Sequence, residues 1–144
     1  MTPVKLRKEH LLDLAELEKK LFSDPWSIDA LAFILCDRAT GYCVEEDGHA
    51  VAYGGLLYAP DEGQILNLGV DEHYRRRGYG KAILSALEAD ARDRGAKALY
   101  LEVRASNLPA IGLYQACGFF ALGRRPNFYR TPIEDAILMK KELD

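Results

Sequence analysis

The sequence is poor in cysteine and carries no excess of positive charge. Its three cysteines, at positions 36, 43 and 117, include no C-x-x-C pair and leave an odd one over. This pattern disfavours a disulfide framework or a zinc site and fits a reducing cytoplasm. A formal net charge of −3 disfavours a general binder of nucleic acids or of acidic membranes. We therefore expect a cytoplasmic protein without a bound metal, whose partners are neither nucleic acid nor membrane.

Long apolar runs, internal repeats and low-complexity linkers are also absent from the sequence. No apolar stretch approaches the length of a membrane span, and the N-terminal segment M-T-P-V-K-L-R-K-E-H lacks the apolar core of a signal peptide. The content of 49% hydrophobic and 28% charged residues is that of an ordinary globular protein. A length of 144 residues suits one domain with a buried core, so we expect a single domain over residues 1–144.

Hydrophobic periodicity predicts an α/β fold in which helices alternate with short strands. Apolar residues at helical spacing predict helices over 9–22, after the N-cap residue Ser27, over 79–94 and over 109–117. Alternating or continuous apolar residues predict strands over 4–6, 42–45, 49–58, 64–70, 98–103, 119–122 and 135–143. Residues 124–132 are expected to form a loop.

The order of these segments predicts a mixed, mostly antiparallel sheet with helices on both faces. The pair Asp47-Gly48 marks a tight hairpin turn, so the strands from 42 to 70 should form an antiparallel meander. The strand–helix–strand unit over 65–103 should instead be a right-handed parallel crossover at the centre of the sheet.

One stretch, residues 65–81 (I-L-N-L-G-V-D-E-H-Y-R-R-R-G-Y-G-K), combines the features of an anion-binding site. An apolar strand ends there, a basic turn follows, and Gly78 and Gly80 precede an amphipathic helix. The free N–H groups and the dipole of a helix N-terminus favour negative charge, and glycine lets a phosphate approach the backbone. We interpret the stretch as the seat of a phosphate-bearing cofactor. The alternative is a solvated basic helix start, since the P-loop ending and the third glycine of the dinucleotide fingerprint are missing.

Three single residues carry further signals, and for two of them the sequence leaves two interpretations open. Gly69 interrupts an apolar strand, which marks either the approach of a ligand or tight packing against a neighbouring helix. Glu102 is either a solvent-facing strand residue paired with Arg104 or, in a sheet covered on both faces, a partly desolvated carboxylate suited to proton transfer. Tyr114 on the short helix is by itself typical of core packing with the hydroxyl at the surface.

Taken in their order, these features resemble the GNAT acetyltransferase family. The motif Arg75-x-x-Gly78-x-Gly80 is similar to the loop that holds the pyrophosphate of acetyl-CoA in that family. Further segments resemble the branch that acetylates the N-terminal alanine of a small-subunit ribosomal protein: P-W-S at 25–27, I-L-N-L-G-V at 65–70, L-E-V-R-A-S-N-L-P-A-I-G-L-Y-Q-A-C-G-F at 101–119, G-R-R-P-N-F-Y at 123–129 and E-D-A at 134–136.

The resemblance implies an acetyl-CoA-dependent N-acetyltransferase that needs no metal. It implies that Glu102 is the general base and Tyr114 the general acid. It implies that acetyl-CoA is bound by Leu68, Gly69, Val70, Arg75, Arg76, Arg77, Gly78, Tyr79, Gly80, Lys81 and Asn107. Trp26, Phe128 and Tyr129 are expected to line the groove for the N-terminus of the acceptor protein. The aromatic pair is commonly two tyrosines in that branch, and Phe128 replaces the first of them here.

Other functions stay open at the level of sequence. A GNAT enzyme could acetylate lysine side chains or small-molecule amines, because the acceptor is chosen by loops. A non-catalytic module that senses CoA or a nucleotide would bind without turnover, although the presence of both Glu102 and Tyr114 counts against it. An RNA-binding protein that uses the arginine cluster would need a broad basic face and stacking aromatic residues, which the sequence lacks.

Overall fold

Residues 1–143, which the computed structural model describes, form a seven-stranded mixed sheet. The strands are β1 (Val4–Lys5), β2 (Ala39–Glu46), β3 (His49–Ala59), β4 (Glu62–Val70), β5 (Ala98–Arg104), β6 (Phe120–Arg130) and β7 (Ile133–Glu142). They lie in the order β1-β2-β3-β4-β5-β7-β6, and every neighbouring pair is antiparallel except the parallel pair β4–β5. The predicted meander and the predicted parallel strand–helix–strand unit are therefore both confirmed.

Four α-helices accompany the sheet in this part of the chain. They are α1 (Leu11–Leu21), α2 (Ile28–Ala32), α3 (Tyr79–Asp93) and α4 (Leu108–Ala116). Short 3-10 turns lie before α1 (Lys8–His10), after α2 (Phe33–Leu35) and before α3 (Glu72–Tyr74). Over residues 1–143 no helix is both long and apolar enough to cross a membrane.

The ends of the helices follow from local chemistry that is visible in the sequence. The hydroxyl of Ser27 caps α2 by accepting a hydrogen bond from the N–H of Ala30 at 3.2 Å. The side-chain oxygen of Asn107 caps α4 by accepting from the N–H of Ala110, also at 3.2 Å. Gly95 follows the end of α3 with a φ of +81°, the left-handed conformation that commonly ends a helix.

Helices cover both faces of the sheet, as predicted. Successive residues of a strand point to opposite faces, and two adjacent glycines of β3 show what lies on each face. A Cβ on Gly54 would lie 2.6 Å from Ile83 and 3.1 Å from Leu87, both in α3. A Cβ on Gly55 would lie 2.9 Å from Ile34 in the turn after α2. Two hydrophobic cores result, one under α3 and the other under α1 and α2.

The prediction of a loop over 124–132 is wrong, because β6 runs as one strand over Phe120–Arg130 and pairs with β7. β6 lies at the edge of the sheet, where one side of the backbone needs no partner and proline is tolerated. Register shifts interrupt the ladder, and one of them spans Pro126. Within that bulge the N–H of Asn127 donates to the carboxylate of Asp135 at 2.9 Å. The long strand places Tyr129 opposite Glu134 of β7.

The central strands β4 and β5 separate at one end, and this opens the middle of the sheet. Their parallel ladder ends at the pair Gln64–Tyr100. On the other side of β4, a register shift between its pairs with Gly54 and Leu56 adds one residue to β4 around positions 66–67. Beyond residue 64, the edge of β4 that faces β5 has no ladder partner within residues 1–143. Backbone N–H and C=O groups are therefore available to a ligand there.

Candidate active site

A cleft of about 560 Å³ lies beside the free end of β4 and the first turns of α3 and α4. All the predicted cofactor residues except Arg77 line it, namely Leu68, Gly69, Val70, Arg75, Arg76, Gly78, Tyr79, Gly80, Lys81 and Asn107. The guanidinium carbon of Arg77 instead lies 5.4 Å from the centre of the Tyr74 ring. The fold therefore places Asn107 in the same cleft as residues 68–81, from which it is distant in the sequence.

The N-terminus of α3 presents backbone N–H groups to this cleft. Gly78 caps the helix in a left-handed conformation with φ 86° and ψ 9°, and no side chain caps the helix there. The first hydrogen bond of the helix runs from the N–H of Ala82 to the carbonyl of Gly78 at 3.0 Å. The helix consequently offers no acceptor to the N–H groups of Tyr79, Gly80 and Lys81. These groups and the helix dipole favour a bound phosphate.

The turn before α3 also directs backbone donors toward the cleft. Arg76 adopts a positive φ of 61°, which is uncommon for a residue other than glycine, and Gly78 follows two residues later with φ 86°. Turns of this kind make concave groups of N–H donors that bind anions. The side chains of Arg75 and Lys81 add positive charge to the lining of the same cleft.

The structure assigns different tasks to the three glycines of this region. Gly78 has the positive φ that disfavours a side chain, although space is available around it. A Cβ on Gly80 would lie 2.9 Å from Leu113, so this glycine lets α3 approach α4. A Cβ on Gly69 would lie 2.8 Å from Leu21 and 2.9 Å from the Tyr53 ring, both part of the core under α1. For Gly69 the packing interpretation therefore explains why no side chain fits at this position.

A second cavity of about 430 Å³ adjoins the first. Both cavities are lined by Leu21, Phe22, Leu68, Asn107 and Ala110, so they form one continuous depression. The second cavity also brings together the predicted base, the predicted acid and two predicted acceptor residues, namely Glu102, Tyr114, Trp26 and Tyr129. Phe128 is not in its lining; it is 44% exposed and packs edge-on against Tyr129 with ring centres 5.1 Å apart.

Glu102 occupies the face of β5 that looks into the second cavity. Its side chain is only 14% exposed, and its Oε2 lies 3.1 Å from Nε of Arg125. The amide of Gln64 donates to Oε1 at 3.4 Å. The Arg125 contact is an ion pair without hydrogen-bond direction, so the buried Oε2 accepts no hydrogen bond within residues 1–143. A carboxylate oxygen with free accepting capacity in a cavity can take up a proton from a bound group.

The alternative partner of Glu102, Arg104, has other contacts. Its guanidinium donates to the carbonyls of Thr131 and Pro132 at 3.0 Å each and to the carboxylate of Glu134 at 3.2 Å. It also stacks on Tyr129, with 4.4 Å between the guanidinium carbon and the ring centre. Arg104 therefore fixes the β6–β7 hairpin against β5 and does not neutralise Glu102.

The two tyrosines of the cavity are held in their protonated forms. Burial raises the pKa of Tyr114 well above that of an ordinary phenol, and the neighbouring Tyr129 and Cys117 raise it further. Burial also raises the pKa of Tyr129, as does the charge of Glu102, whereas Arg104 opposes the shift. A phenol with a raised pKa keeps its proton at neutral pH. Tyr114 therefore carries its phenol proton at neutral pH.

Glu18, which was not among the residues predicted from the sequence, also lines the second cavity. This carboxylate lies in α1 and is fully buried. Its position could have been noticed, because residues 14, 17 and 21 of the same helix are leucines and define an apolar stripe that includes position 18. A charged residue inside such a stripe needs polar partners in the folded state.

Comparison with known proteins identifies the family. The sequence pattern of the Acetyltransferase (GNAT) family matches residues 10–119. The chain is 36% identical over 125 residues to the ribosomal protein bS18-alanine N-acetyltransferase of Escherichia coli, covering 85% of this chain and 84% of that protein. It is 35% identical over 135 residues to the N-alpha-acetyltransferase RimI of Mycobacterium tuberculosis, covering 89% and 84% respectively.

The fold gives the same result as the sequence comparison. The crystal structure of the ribosomal-protein-S18-alanine N-acetyltransferase from Escherichia coli superimposes with a TM-score of 0.91 at 32% identity, covering 99% of this chain and 94% of that one. The cleft, the separated strands and the helix N-terminus described above occur in the part of the chain that matches the family. This protein is an N-acetyltransferase that belongs to the GNAT family.

Proposed function

We propose that this protein transfers the acetyl group of acetyl-CoA to the N-terminal amine of another protein, and that its acceptor is the N-terminal alanine of a small-subunit ribosomal protein. The observation that best supports this proposal is that the cleft at the start of α3 and the cavity lined by Glu102 and Tyr114 share part of their lining, including Leu68. We treat residues 1–144 as one acetyltransferase domain. Because ribosomal proteins are made in the cytoplasm, we place the reaction there.

The first cleft suits acetyl-CoA as the acetyl donor. The N–H groups at the start of α3, with Arg75, Arg76 and Lys81 around them, match the charge of a pyrophosphate. The apolar surfaces of Pro109, Ala110 and Leu113 and the capping residue Asn107 suit the long pantetheine arm. Bound acetyl-CoA supplies an activated acyl group, a thioester whose carbonyl can be attacked by an amine.

The second cavity suits an acceptor amine that must lose a proton. An α-amino group has a pKa near ~8 and is mostly protonated at neutral pH, so it cannot attack a carbonyl until it is deprotonated. Glu102, directly or through one water molecule, takes this proton. The Glu102 carboxylate is largely shielded from bulk water and lies in the cavity proposed for the acceptor, so the base and the amine meet there.

The remaining steps use the free edge of β4 and Tyr114. When the amine attacks, negative charge develops on the carbonyl oxygen of the acetyl group, and a backbone N–H of Leu68, Gly69 or Val70 stabilises it. The bond between the carbonyl carbon and sulfur then breaks, and the phenol of Tyr114 gives its proton to the departing thiolate. The nitrogen enters as an ammonium group and ends as an amide, so it loses two protons. Glu102 holds the first, and the second, released after the attack, replaces the proton that Tyr114 gave to the thiolate. No covalent bond to the enzyme is required.

The aromatic walls of the second cavity support a peptide N-terminus as the acceptor. Phe22, Trp26 and Tyr129 narrow the cavity, and Arg104 fixes the hairpin that carries Tyr129. A narrow aromatic groove suits an extended main chain that ends in a small residue. The names of the relatives from Escherichia coli and Mycobacterium tuberculosis support alanine and an α-amino group as the target.

Paired peptides test this proposal. One peptide has a free N-terminal alanine and arginine in place of lysine, and the other has a blocked N-terminus and several lysines. With acetyl-CoA we expect rapid acetylation of the first peptide and none of the second. Acetylation of the blocked, lysine-bearing peptide alone would favour a lysine acetyltransferase, and acetylation of small polyamines alone would favour a small-molecule enzyme.

A further inference from the structure

Glu18 is a fully buried carboxylate whose oxygens accept hydrogen bonds from three separate parts of the fold. The backbone N–H of Trp26 donates to Oε1 at 2.8 Å. The side-chain amide of Asn67 donates to Oε2 at 2.9 Å, and the hydroxyl of Tyr53 donates to the same oxygen. No lysine, arginine or histidine of residues 1–143 forms an ion pair with this carboxylate. The three donors satisfy the buried group without a positive charge.

The three donors belong to elements that the acetyl transfer needs in one arrangement. Trp26 follows α1 and lines the acceptor cavity. Asn67 lies at the register shift that frees the edge of β4, one residue before Leu68, where the two cavities meet. Tyr53 lies on β3 in the core under α1 and has no exposed surface. Glu18 therefore connects a wall of the acceptor cavity to the free edge of β4 and anchors both to the core.

Stability alone does not account for an acidic residue at this position. Leucines at positions 14, 17 and 21 continue the apolar stripe of α1, and an apolar side chain at position 18 would extend it without burying a carboxylate. Replacing buried polar groups by well-packed apolar ones is often neutral or stabilising. The polar network instead fixes where the Trp26 backbone and the β4 bulge lie, which apolar packing does not specify.

From this geometry we propose that Glu18 is a positioning residue for the acceptor peptide. It borders the acceptor cavity, but it has no exposed surface and its oxygens already accept hydrogen bonds, so it offers no free group to the substrate. It acts through Trp26, whose position sets one wall of the acceptor cavity relative to Leu68. This inference rests on the proposed function, because it assigns Glu18 to acceptor binding and not to acetyl-CoA binding.

The test uses two substitutions at position 18 and one matched control. Glu18→Met keeps the volume but removes the acceptor for the Trp26 N–H. Glu18→Gln keeps a carbonyl for Trp26 but places an amide donor opposite the donor of Asn67. The control, Tyr58→Phe, removes a different tyrosine–carboxylate hydrogen bond, from Tyr58 to Asp90 at 2.5 Å, in the surface between β3 and α3. Tyr58 lines neither cavity.

Steady-state kinetics should separate the KM values of the two substrates. We expect Glu18→Met to raise the KM for the acceptor peptide by about tenfold or more, since small misplacements of positioning groups have effects of this size. The KM for acetyl-CoA should rise less, because Glu18 reaches the edge of β4 only through the side chain of Asn67. Glu18→Gln should show the same selectivity with a smaller effect. An acceptor KM that changes no more than in Tyr58→Phe, compared at equal fractions of folded protein, overturns the inference.

A second readout does not depend on any acceptor. Trp26 is the single tryptophan of the chain, so its fluorescence and the hydrogen exchange of its backbone N–H report on this contact directly. Glu18→Met should accelerate that exchange and shift the emission, whereas Tyr58→Phe should do neither. If the wild-type protein acetylates no peptide N-terminus, the proposed function fails, whereas Trp26 exchange still tests separately whether Glu18 holds the Trp26 backbone in place. Unchanged hydrogen exchange of the Trp26 N–H in Glu18→Met overturns the inference about Glu18.

Discussion

Nε of Arg125, on the edge strand β6, lies 3.1 Å from Oε2 of Glu102 on the central strand β5. The two partners differ in exposure, since the Arg125 side chain is 58% exposed and that of Glu102 only 14%. A partly exposed ion pair contributes about 0–1 kcal/mol, so an arriving ammonium group can displace Arg125 at little cost. Under the proposed function, the pair keeps a cation near Glu102 until the amine of the acceptor replaces it.

This relationship predicts different outcomes for the two partners. Glu102→Gln removes the group that accepts the proton and should lower kcat by about 10²–10⁴-fold, with acetyl-CoA binding unaffected. Arg125→Gln keeps the carboxylate that accepts the proton and should change the rate by about threefold or less, since the Arg125 side of the pair is mostly exposed to solvent. Rates of acetyl transfer together with calorimetric binding of acetyl-CoA check both. Similar losses in the two variants would remove Glu102 from the role of base.

Tyr114 should act as a proton donor over a wide pH range. Its pKa is raised, primarily by burial, so the phenol stays protonated through neutral and into alkaline pH. Tyr114→Phe should lower kcat by about 10²-fold with acetyl-CoA, because the thiolate then leaves unprotonated. With an acyl donor whose thiol is more acidic, kcat should fall less in Tyr114→Phe, since that thiolate leaves without being protonated. An equal loss with both donors would show that Tyr114 does not protonate the leaving group.

The raised pKa of Tyr114 also has a consequence for stability. Because the folded state binds this proton more tightly than the unfolded state, the contribution is fully present below the ordinary phenol pKa of about 10 and is lost as the pH rises above it. Denaturant unfolding at several alkaline pH values should therefore show a decrease in the free energy of unfolding that is smaller in Tyr114→Phe. A decrease of the same size in the variant would contradict the assignment.

Substitution by alanine should have different effects at Gly80 and Gly112: at Gly80 it should weaken acetyl-CoA binding, and at Gly112 it should raise stability. A Cβ on Gly80 would lie 2.9 Å from the end of the Leu113 side chain, which lines the cleft. Gly80→Ala should therefore push Leu113 into the cleft and raise the KM for acetyl-CoA. A Cβ on Gly112, inside α4, would meet nothing within 4 Å. Gly112→Ala should therefore stabilise the protein by about 0.5–1 kcal/mol through helix propensity. Thermal unfolding and kinetics of both variants check this pair, and an unchanged KM in Gly80→Ala would contradict it.

The parts of the fold that sequence could predict depend on neighbours along the chain. The cap of α2 at Ser27 and the stop of α3 at Gly95 need only residues within one helical turn. The hairpin at Asp47-Gly48 likewise follows from two residues that both adopt positive φ. The order of these local units was enough to predict the mixed sheet and its parallel pair.

The parts that sequence could not predict depend on distant partners. Residues 124–132 contain proline and charged residues and appear as a loop in isolation, yet pairing with β7 makes most of them a strand. The packing role of Gly69 needs Leu21 and Tyr53, and the buried network of Glu18 needs three elements that are adjacent only in the fold. For Glu102, sequence indicated the face of β5 but not Arg125 as its partner.

The central claim is that this enzyme acetylates an N-terminal amine and that Glu102 is its base. The most direct measurement treats a mixture of unacetylated small-subunit ribosomal proteins with acetyl-CoA and either the wild-type enzyme or Glu102→Gln, and locates new acetyl groups by fragmentation mass spectrometry. We predict acetylation of the α-amino group of an N-terminal alanine on one protein, with little or none in the variant. Acetylation of lysine side chains alone, or equal acetylation by the variant, would contradict the claim.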